Sequence, residues 1–262
     1  MIKTLQNEEL SLLKVFLDAC SQLGLRPYMV CGSALGAMKY QGFIPWDDDI
    51  DVALLRPEYE RFLDQAPRML PEWCFLQNYR TEPSFPYIFS KLRDTRTAMI
   101  ERSGRLLPIT RGVFIDVFPL DGYPKSRMKQ TYFEARKQLY IRALNSAFEH
   151  EGLVRRAFYG AFRLLGCHRR ISSVAASYER MLKSYPPESS CLWCNHGNWQ
   201  GRLEYSPREQ YGKGHPAIFE GIEVLVPEKY DDYLTQKYGD WRSDPPLDQQ
   251  TSHHQFLTVD VG

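Results

Sequence analysis

Between Asp47 and Asp51 the chain carries four carboxylates in five positions, and the apolar run Val52-Ala53-Leu54-Leu55 follows at once. Adjacent anions repel, and taking each of them out of water is costly. A strand that draws such a group toward a core therefore needs a cation held beside it. A divalent metal ion, with a phosphorylated substrate bound on the metal, meets that need. The plainer alternative is a solvated acidic turn ahead of a strand. It conflicts with Ile50, Val52, Ala53 and Leu54, which pull the segment inward.

With a strand read from Ile50 to Leu55, residues i and i+2 share a face. Asp49 and Asp51 then point together, Asp47 joins them if the extended geometry persists, and Asp48 points away. Mg²⁺ (or Mn²⁺) suits such a set, because hard cations take a few carboxylates and leave positions for phosphate and water. A calcium loop is excluded: Asp47, Asp49, Asp51 and Glu58 have the spacing, but Val52 stands where the sharp turn requires glycine. A fifth carboxylate, Asp116, interrupts the apolar run Val113-Phe114-Ile115-Asp116-Val117-Phe118. It either joins the metal site or takes up a proton, or it is buried in an ion pair with Arg111 or Arg93. Gly32-Ser33 lies between a first strand and a short helix, where glycine lets the backbone approach a ligand and helix-start amides hold phosphate. It is neither a Walker motif nor a nucleophile elbow.

The rest of the chain supports a mixed α/β (α+β) reading. Leu13, Phe16, Cys20 and Leu23 predict an amphipathic first helix. Strands are predicted at Tyr28–Cys31, Ile50–Leu55, Trp73–Leu76, Tyr87–Leu92 and Val113–Phe118, the last ended by Pro119. Residues 1–124 read as a catalytic core and 125–185 as a basic helical region. Residues 186–262 read as a C-terminal part packing back on the core, with one short strand at Ile222–Val226 and a helix from about Glu228 to Tyr238. Net charge is +1 over 262 residues, which gives no global field for nucleic acid. Charge is uneven, however: net −5 from Ile44 to Asp64 and net +7 from Arg127 to Arg170. The start of the chain lacks a signal-peptide pattern, no window is apolar enough to span a bilayer, and six scattered cysteines suit reduced thiols in a cytosol.

Several of these stretches resemble the LicD family: Gly32-Ser33, Ala34-Leu35-Gly36-Ala37, Gly42-Phe43-Ile44-Pro45-Trp46-Asp47-Asp48-Asp49-Ile50-Asp51 and Phe114-Ile115-Asp116-Val117-Phe118-Pro119-Leu120-Asp121. So do Tyr238-Gly239-Asp240-Trp241, Pro245-Pro246 and His253-His254. The family contains bacterial phosphocholine transferases and, more distantly, fukutin and fukutin-related protein. The resemblance implies a nucleotidyltransferase-like mixed sheet flanked by helices, with a helical insertion. It also implies metal-dependent transfer from a CDP-linked donor, usually CDP-choline, to a hydroxyl of a cell-surface glycan or its lipid-linked precursor, such as teichoic acid or lipopolysaccharide. Asp47, Asp49 and Asp51 match the acidic motif and Asp116 the later strand carboxylate. True nucleotidyl transfer releasing pyrophosphate, and metal–nucleotide binding without turnover, are the alternatives.

Around that centre, Lys91 and Arg93 are candidates for phosphate contact. One of His253 and His254 is a candidate to reach the site, since adjacent side chains on extended backbone diverge. Aromatic side chains offer a box for a quaternary ammonium. Leu153–Leu165 reads as a helix with apolar and cationic faces, which is either packed on the domain or docked on an anionic membrane. The expected location is the cytoplasm, with or without a peripheral position on the inner face of the membrane.

Overall fold

A computed structural model describes residues 2–102, 104–150, 152–197, 201–251 and 256–260. The chain opens with α1 (Ile2–Leu23), whose Leu5, Leu12, Leu13, Phe16, Ala19 and Cys20 are buried against the sheet. The three- and four-residue spacing of these positions gives one apolar stripe. Phe16 meets Phe62 of α3 (Arg56–Gln65) edge to face, with centroids 5.1 Å apart. Pro57 sits in the first turn of α3, where its missing N–H leaves no orphan donor.

The central sheet is mixed. Its main path runs β1 (Tyr28–Met29), β2 (Asp51–Leu55), β6 (Phe114–Gly122), β4 (Ser90–Asp94) and β3 (Cys74–Gln77). A short β5 (Ala98–Glu101) precedes β6 in sequence and pairs with β11 (Phe256–Asp260). Among the described residues only β2 and β6 run parallel; the other pairings in this sheet are antiparallel. The first strand is shorter than predicted, because Cys31 takes a left-handed backbone (φ 51°) and opens α2 (Cys31–Tyr40). The strand predicted at Tyr87–Leu92 begins three residues later and runs Ser90–Asp94.

The prediction that Pro119 ends the strongest strand is corrected. Strand β6 continues through Pro119 to Gly122, with Pro119 beside Leu54 of β2. The Asp116 N–H points to β2, where it donates to the Ile50 carbonyl at 2.8 Å. Alternation therefore aims the place of Pro119's missing N–H at the opposite edge. On that edge β4 stops pairing at Val117, and β7 (Leu192–Asn195) begins at Leu120. Proline falls in the gap, where no ladder bond is lost.

After β6 come α4 (Arg127–Asn145), α5 (Leu153–Leu164) and α6 (Ile171–Lys183). Ser126 caps α4 by accepting from the Lys129 N–H. Helices α4 and α6 share a second apolar cluster that includes Phe133, Leu144, Ala175, Tyr178 and Leu182. The C-terminal stretch is richer in strands than the single one predicted. Strand β7 joins β6, and β8 (Tyr205–Pro207) joins β7. A short α7 (Arg208–Tyr211), a hairpin of β9 (His215–Phe219) with β10 (Ile222–Val226), and α8 (Tyr230–Tyr238) then return to the core. There the Tyr233 hydroxyl accepts from the Cys31 N–H at 3.1 Å. Among the described residues no helix is long and apolar enough to cross a membrane.

One ion cluster ties the helical stretch to the sheet. Arg56 at the start of α3 donates from Nε to Asp121 Oδ1 at 2.8 Å and from Nη2 to Asp121 Oδ2 at 2.6 Å, and its Nη1 lies 3.2 Å from Glu179 Oε1 of α6. Asp121 is wholly buried and Arg56 nearly so. Burial opposes the Arg56 charge, but Asp121 and Glu179 outweigh it and raise its pKa. A pair of this kind gains little over an apolar replacement, yet removing one partner strands the other. Arg56→Met is expected to lower the unfolding free energy by about 3–5 kcal/mol in urea titrations. Arg56→Lys should recover only part, because a single ammonium cannot reproduce the two-pronged bond.

Candidate active site

Three adjacent strands each present one side chain to the same row. Lys91 of β4 is in register with Asp116 of β6, which is in register with Asp51 of β2. The parallel register is pinned on both sides: Asp116 N–H donates to Ile50 O, and Asp51 N–H donates to the Ser33 hydroxyl at 2.8 Å. Lys91 Nζ lies 3.2 Å from Asp116 Oδ1 and 3.7 Å from Glu101 Oε2. Of the two sequence alternatives for Asp116, both apply in part. It lies in the carboxylate site, and its ion-pair partner is Lys91 rather than Arg93 or Arg111.

The strand-parity argument for Asp47 and Asp49 is corrected, because β2 begins only at Asp51. The three preceding acids sit in irregular backbone after a turn closed by Asp47 N–H to Ile44 O, 2.9 Å. That turn, rather than strand alternation, gathers Asp47, Asp48 and Asp49, whose nearest carboxylate oxygens all lie within 4.8 Å of one another. Asp48 is thus part of the cluster, although it is buried away from the cavity wall. Asp47, Asp49, Asp51 and Asp116 all line one cavity of about 820 Å³. Gly32 lines it too: a Cβ there would stand 2.7 Å from Asp47 Oδ2, so any larger residue displaces that carboxylate. Ser33 is behind the wall, holding β2 through its hydroxyl. Arg93 is buried off the cavity, donating to Gln77 Oε1 and, at 2.7 Å, to the Gly112 carbonyl. His253 and His254 lie outside the described residues.

Negative charge dominates this cavity. Six carboxyl side chains line it (Asp47, Asp49, Asp51, Glu101, Asp116 and Glu149) against the cations Lys91 and Arg155. Burial, then the neighbouring Asp49, pushes the Asp47 carboxyl up to about 8. Burial, then Asp49 and Asp116, raises Asp51 well above the ordinary carboxylate range. Beneath the cluster, Glu9 of α1 is fully buried, and neither carboxylate oxygen has a hydrogen-bond partner among the described residues. Burial followed by the charges of Asp49, Asp48 and Asp47 raises its pKa strongly. Sequence reading missed Glu9, although the signal was present: it falls on the apolar stripe with Leu5, Leu12, Leu13 and Phe16. Asp47, Asp48 and Asp49 each bring one hard carboxylate oxygen within 4.8 Å of the others, a donor set that fits a divalent cation such as Mg²⁺ or Mn²⁺, with Asp51 and Asp116 on the same cavity.

Beside the carboxylates the lining is aromatic. Tyr87, Phe89, Phe118, Phe148 and Tyr159 line the cavity, with Tyr87 and Phe148 centroids 5.6 Å apart. Gly197, just after β7, lies against Phe89 and Phe118; a Cβ there would meet Phe89 Cδ1 at 2.7 Å. Asn145, Phe148, His150, Arg155 and Tyr159 come from the helical stretch, where no motif marked them.

The Asp47 shift has a measurable consequence. Its folded-state pKa of about 8 exceeds the ordinary 3.8, so the folded state keeps a proton that the unfolded chain has released. This term stabilises at low pH and is lost as pH rises through about 8. In the presence of a chelator the melting temperature should fall more steeply over that interval for the wild type than for Asp47→Asn. Added Mg²⁺ should raise it most at the alkaline end, where the carboxylates have given up their protons.

The family model described as "LicD/FKTN/FKRP, nucleotidyltransferase domain" matches residues 24–160, more than half of the chain. This span contains Gly32, the acidic turn, β2, Lys91 and Asp116. The chain is also 28% identical to "Lipopolysaccharide cholinephosphotransferase LicD" of Haemophilus influenzae, over 94% of this chain and 92% of that protein. The mixed sheet with its parallel β2–β6 pair and row of acids is nucleotidyltransferase-like. From its sequence and its fold together, the chain belongs to the LicD/FKTN/FKRP nucleotidyltransferase family.

Proposed function

We propose that the protein transfers phosphocholine from CDP-choline to a hydroxyl of a cell-surface glycan of the lipopolysaccharide type, with release of CMP. The observation that carries this reading is the row Lys91–Asp116–Asp51 beside the Asp47–Asp49 turn, at the base of a cavity with an aromatic wall. The similarity to a lipopolysaccharide cholinephosphotransferase supports it. In this reading residues 1–124 carry the carboxylates, 125–185 supply part of the wall of the cavity, and 186–262 pack back with Gly197 and Tyr238. The enzyme works in the cytoplasm, on the inner side of the membrane.

Asp47, Asp49, Asp51 and Asp116 hold the cation, Mg²⁺ or Mn²⁺. When bound, that cation neutralises the diphosphate and the departing CMP. Gly32 leaves room for the phosphates next to Asp47. Asp116 takes the proton from the acceptor hydroxyl as the new O–P bond forms at the choline-bearing phosphorus and the bond to CMP breaks. Lys91, 3.2 Å from Asp116 Oδ1, keeps that carboxylate oriented and compensates its charge. Tyr87, Phe148 and Tyr159 face the trimethylammonium group.

Purified protein with CDP-choline, Mg²⁺ and a lipopolysaccharide acceptor is expected to release CMP. Asp51→Asn should lower the rate by more than the roughly 10–100-fold that outer-shell changes at metal sites cost. Chelation should abolish the reaction. Pyrophosphate as the product would assign true nucleotidyl transfer instead, and no turnover of CDP-choline, CDP-ethanolamine, CDP-glycerol or CDP-ribitol would leave only a binding module. Tyr159→Ala should raise KM for CDP-choline by about 3–30-fold, the equivalent of one cation–π contact, and leave CDP-glycerol nearly unaffected.

A further inference from the structure

Helix α5 has its amphipathic character turned outward. Val154, Phe158, Ala161 and Leu165 recur at four- and three-residue spacing, and Leu164 widens the same stripe. In a helix packed on a domain this stripe would be the buried one. Here no residue of α5 is buried: Val154 is 84% exposed, Leu164 91% and Leu165 75%. The other side of the helix carries Arg155, Arg156 and Arg163, and Arg155 with Tyr159 lines the carboxylate cavity. From Leu153 to Arg170 the sequence has five arginines and no acid.

We propose that α5 is an interfacial helix that seats its apolar stripe in an anionic membrane. Leucine and phenylalanine on one face with arginine on the other is the composition of helices that lie in the headgroup plane. The charge argument selects lipid over a second copy of the chain. Self-association through this face would set side by side two copies of a segment with five arginines and no acid to answer them, whereas anionic headgroups complement the arginines outside the cavity. Because α5 also forms part of the cavity wall, a docked helix holds the mouth of the cavity at the level of the headgroups. Access to a lipid-anchored glycan acceptor follows, and this consequence rests on the phosphocholine-transfer reading; the membrane contact itself does not.

The test is co-sedimentation of the full chain with phosphatidylcholine vesicles and with equimolar phosphatidylcholine–phosphatidylglycerol vesicles. Binding is expected to the second far more than to the first, and to weaken as salt is raised. Leu164→Ser/Leu165→Ser, and separately Arg169→Glu/Arg170→Glu, should each cut the bound fraction at limiting lipid by roughly tenfold or more. Neither pair touches the cavity, so CMP release with a water-soluble saccharide acceptor should stay at the wild-type rate. Equal binding to both vesicles, no binding to either, or unchanged binding of the two variants overturns the proposal. So does a dimer in light scattering that Leu164→Ser/Leu165→Ser dissolves, since the stripe would then be a protein interface. Vesicle binding with no turnover of any CDP-alcohol would defeat the proposed reaction and leave the docking intact.

Discussion

The repulsion among buried carboxylates is the constraint around which this molecule is arranged. The parallel pairing of β2 with β6 sets Asp51 directly beside Asp116, and the turn before β2 adds three more acids. Nothing in elementary energetics favours that gathering in a protein interior. It is maintained by backbone bonds made elsewhere: Ser33 to the Asp51 amide, Ile50 to the Asp116 amide, Gln6 to the Asp47 carbonyl. Lys91 offsets one charge. At Asp47 and Asp51, and at Glu9 below, burial and the neighbouring carboxylates raise the pKa and so disfavour the charged form. Stability is thus given up at the point where chemistry needs concentrated negative charge, and recovered in the apolar layers on both sides of the sheet.

The same economy of charge divides the cavity. Its floor is acidic and its wall aromatic, so a ligand with phosphate at one end and a cationic or apolar group at the other is held in one orientation. The floor comes from the sheet, whereas the wall combines Tyr87, Phe89 and Phe118, on or next to the sheet strands, with Phe148 and Tyr159 from much later in the chain. The reaction centre and part of the recognition surface are thus set by different parts of the sequence.

How much of this was legible in the sequence follows from which signals are local. The acidic run, the apolar strand after it, and the lone carboxylate in Val113–Phe118 are local, and they pointed to Asp47, Asp49, Asp51 and Asp116 without any structure. The length of the first strand was not legible, because Cys31 adopts a left-handed backbone for tertiary reasons. Nor was the passage of β6 through Pro119, which depends on where two other strands begin and end. Parity misplaced Asp48 because an irregular turn has no period. The aromatic wall was invisible for a different reason: Phe148 and Tyr159 are ordinary core-like residues that meet Tyr87 only because of how α4 and α5 fold back. Glu9 could have been found, as an acid inside an otherwise apolar helical stripe.

The change of partner along β6 has a wider consequence. Its first half pairs with β4 and its second half with β7, and Pro119 marks the seam. The segment between Gly122 and Leu192 leaves the sheet from the second half of β6 and returns as β7 beside that same half. The register that fixes Asp116 is set by β2 and β4, upstream of the departure point. The position of the carboxylate row therefore does not depend on the length of the intervening helices, of which α6 is fastened to the sheet by the Arg56–Asp121–Glu179 cluster. A seam of this kind lets the part of the wall built by Phe148 and Tyr159 change while the floor keeps its register.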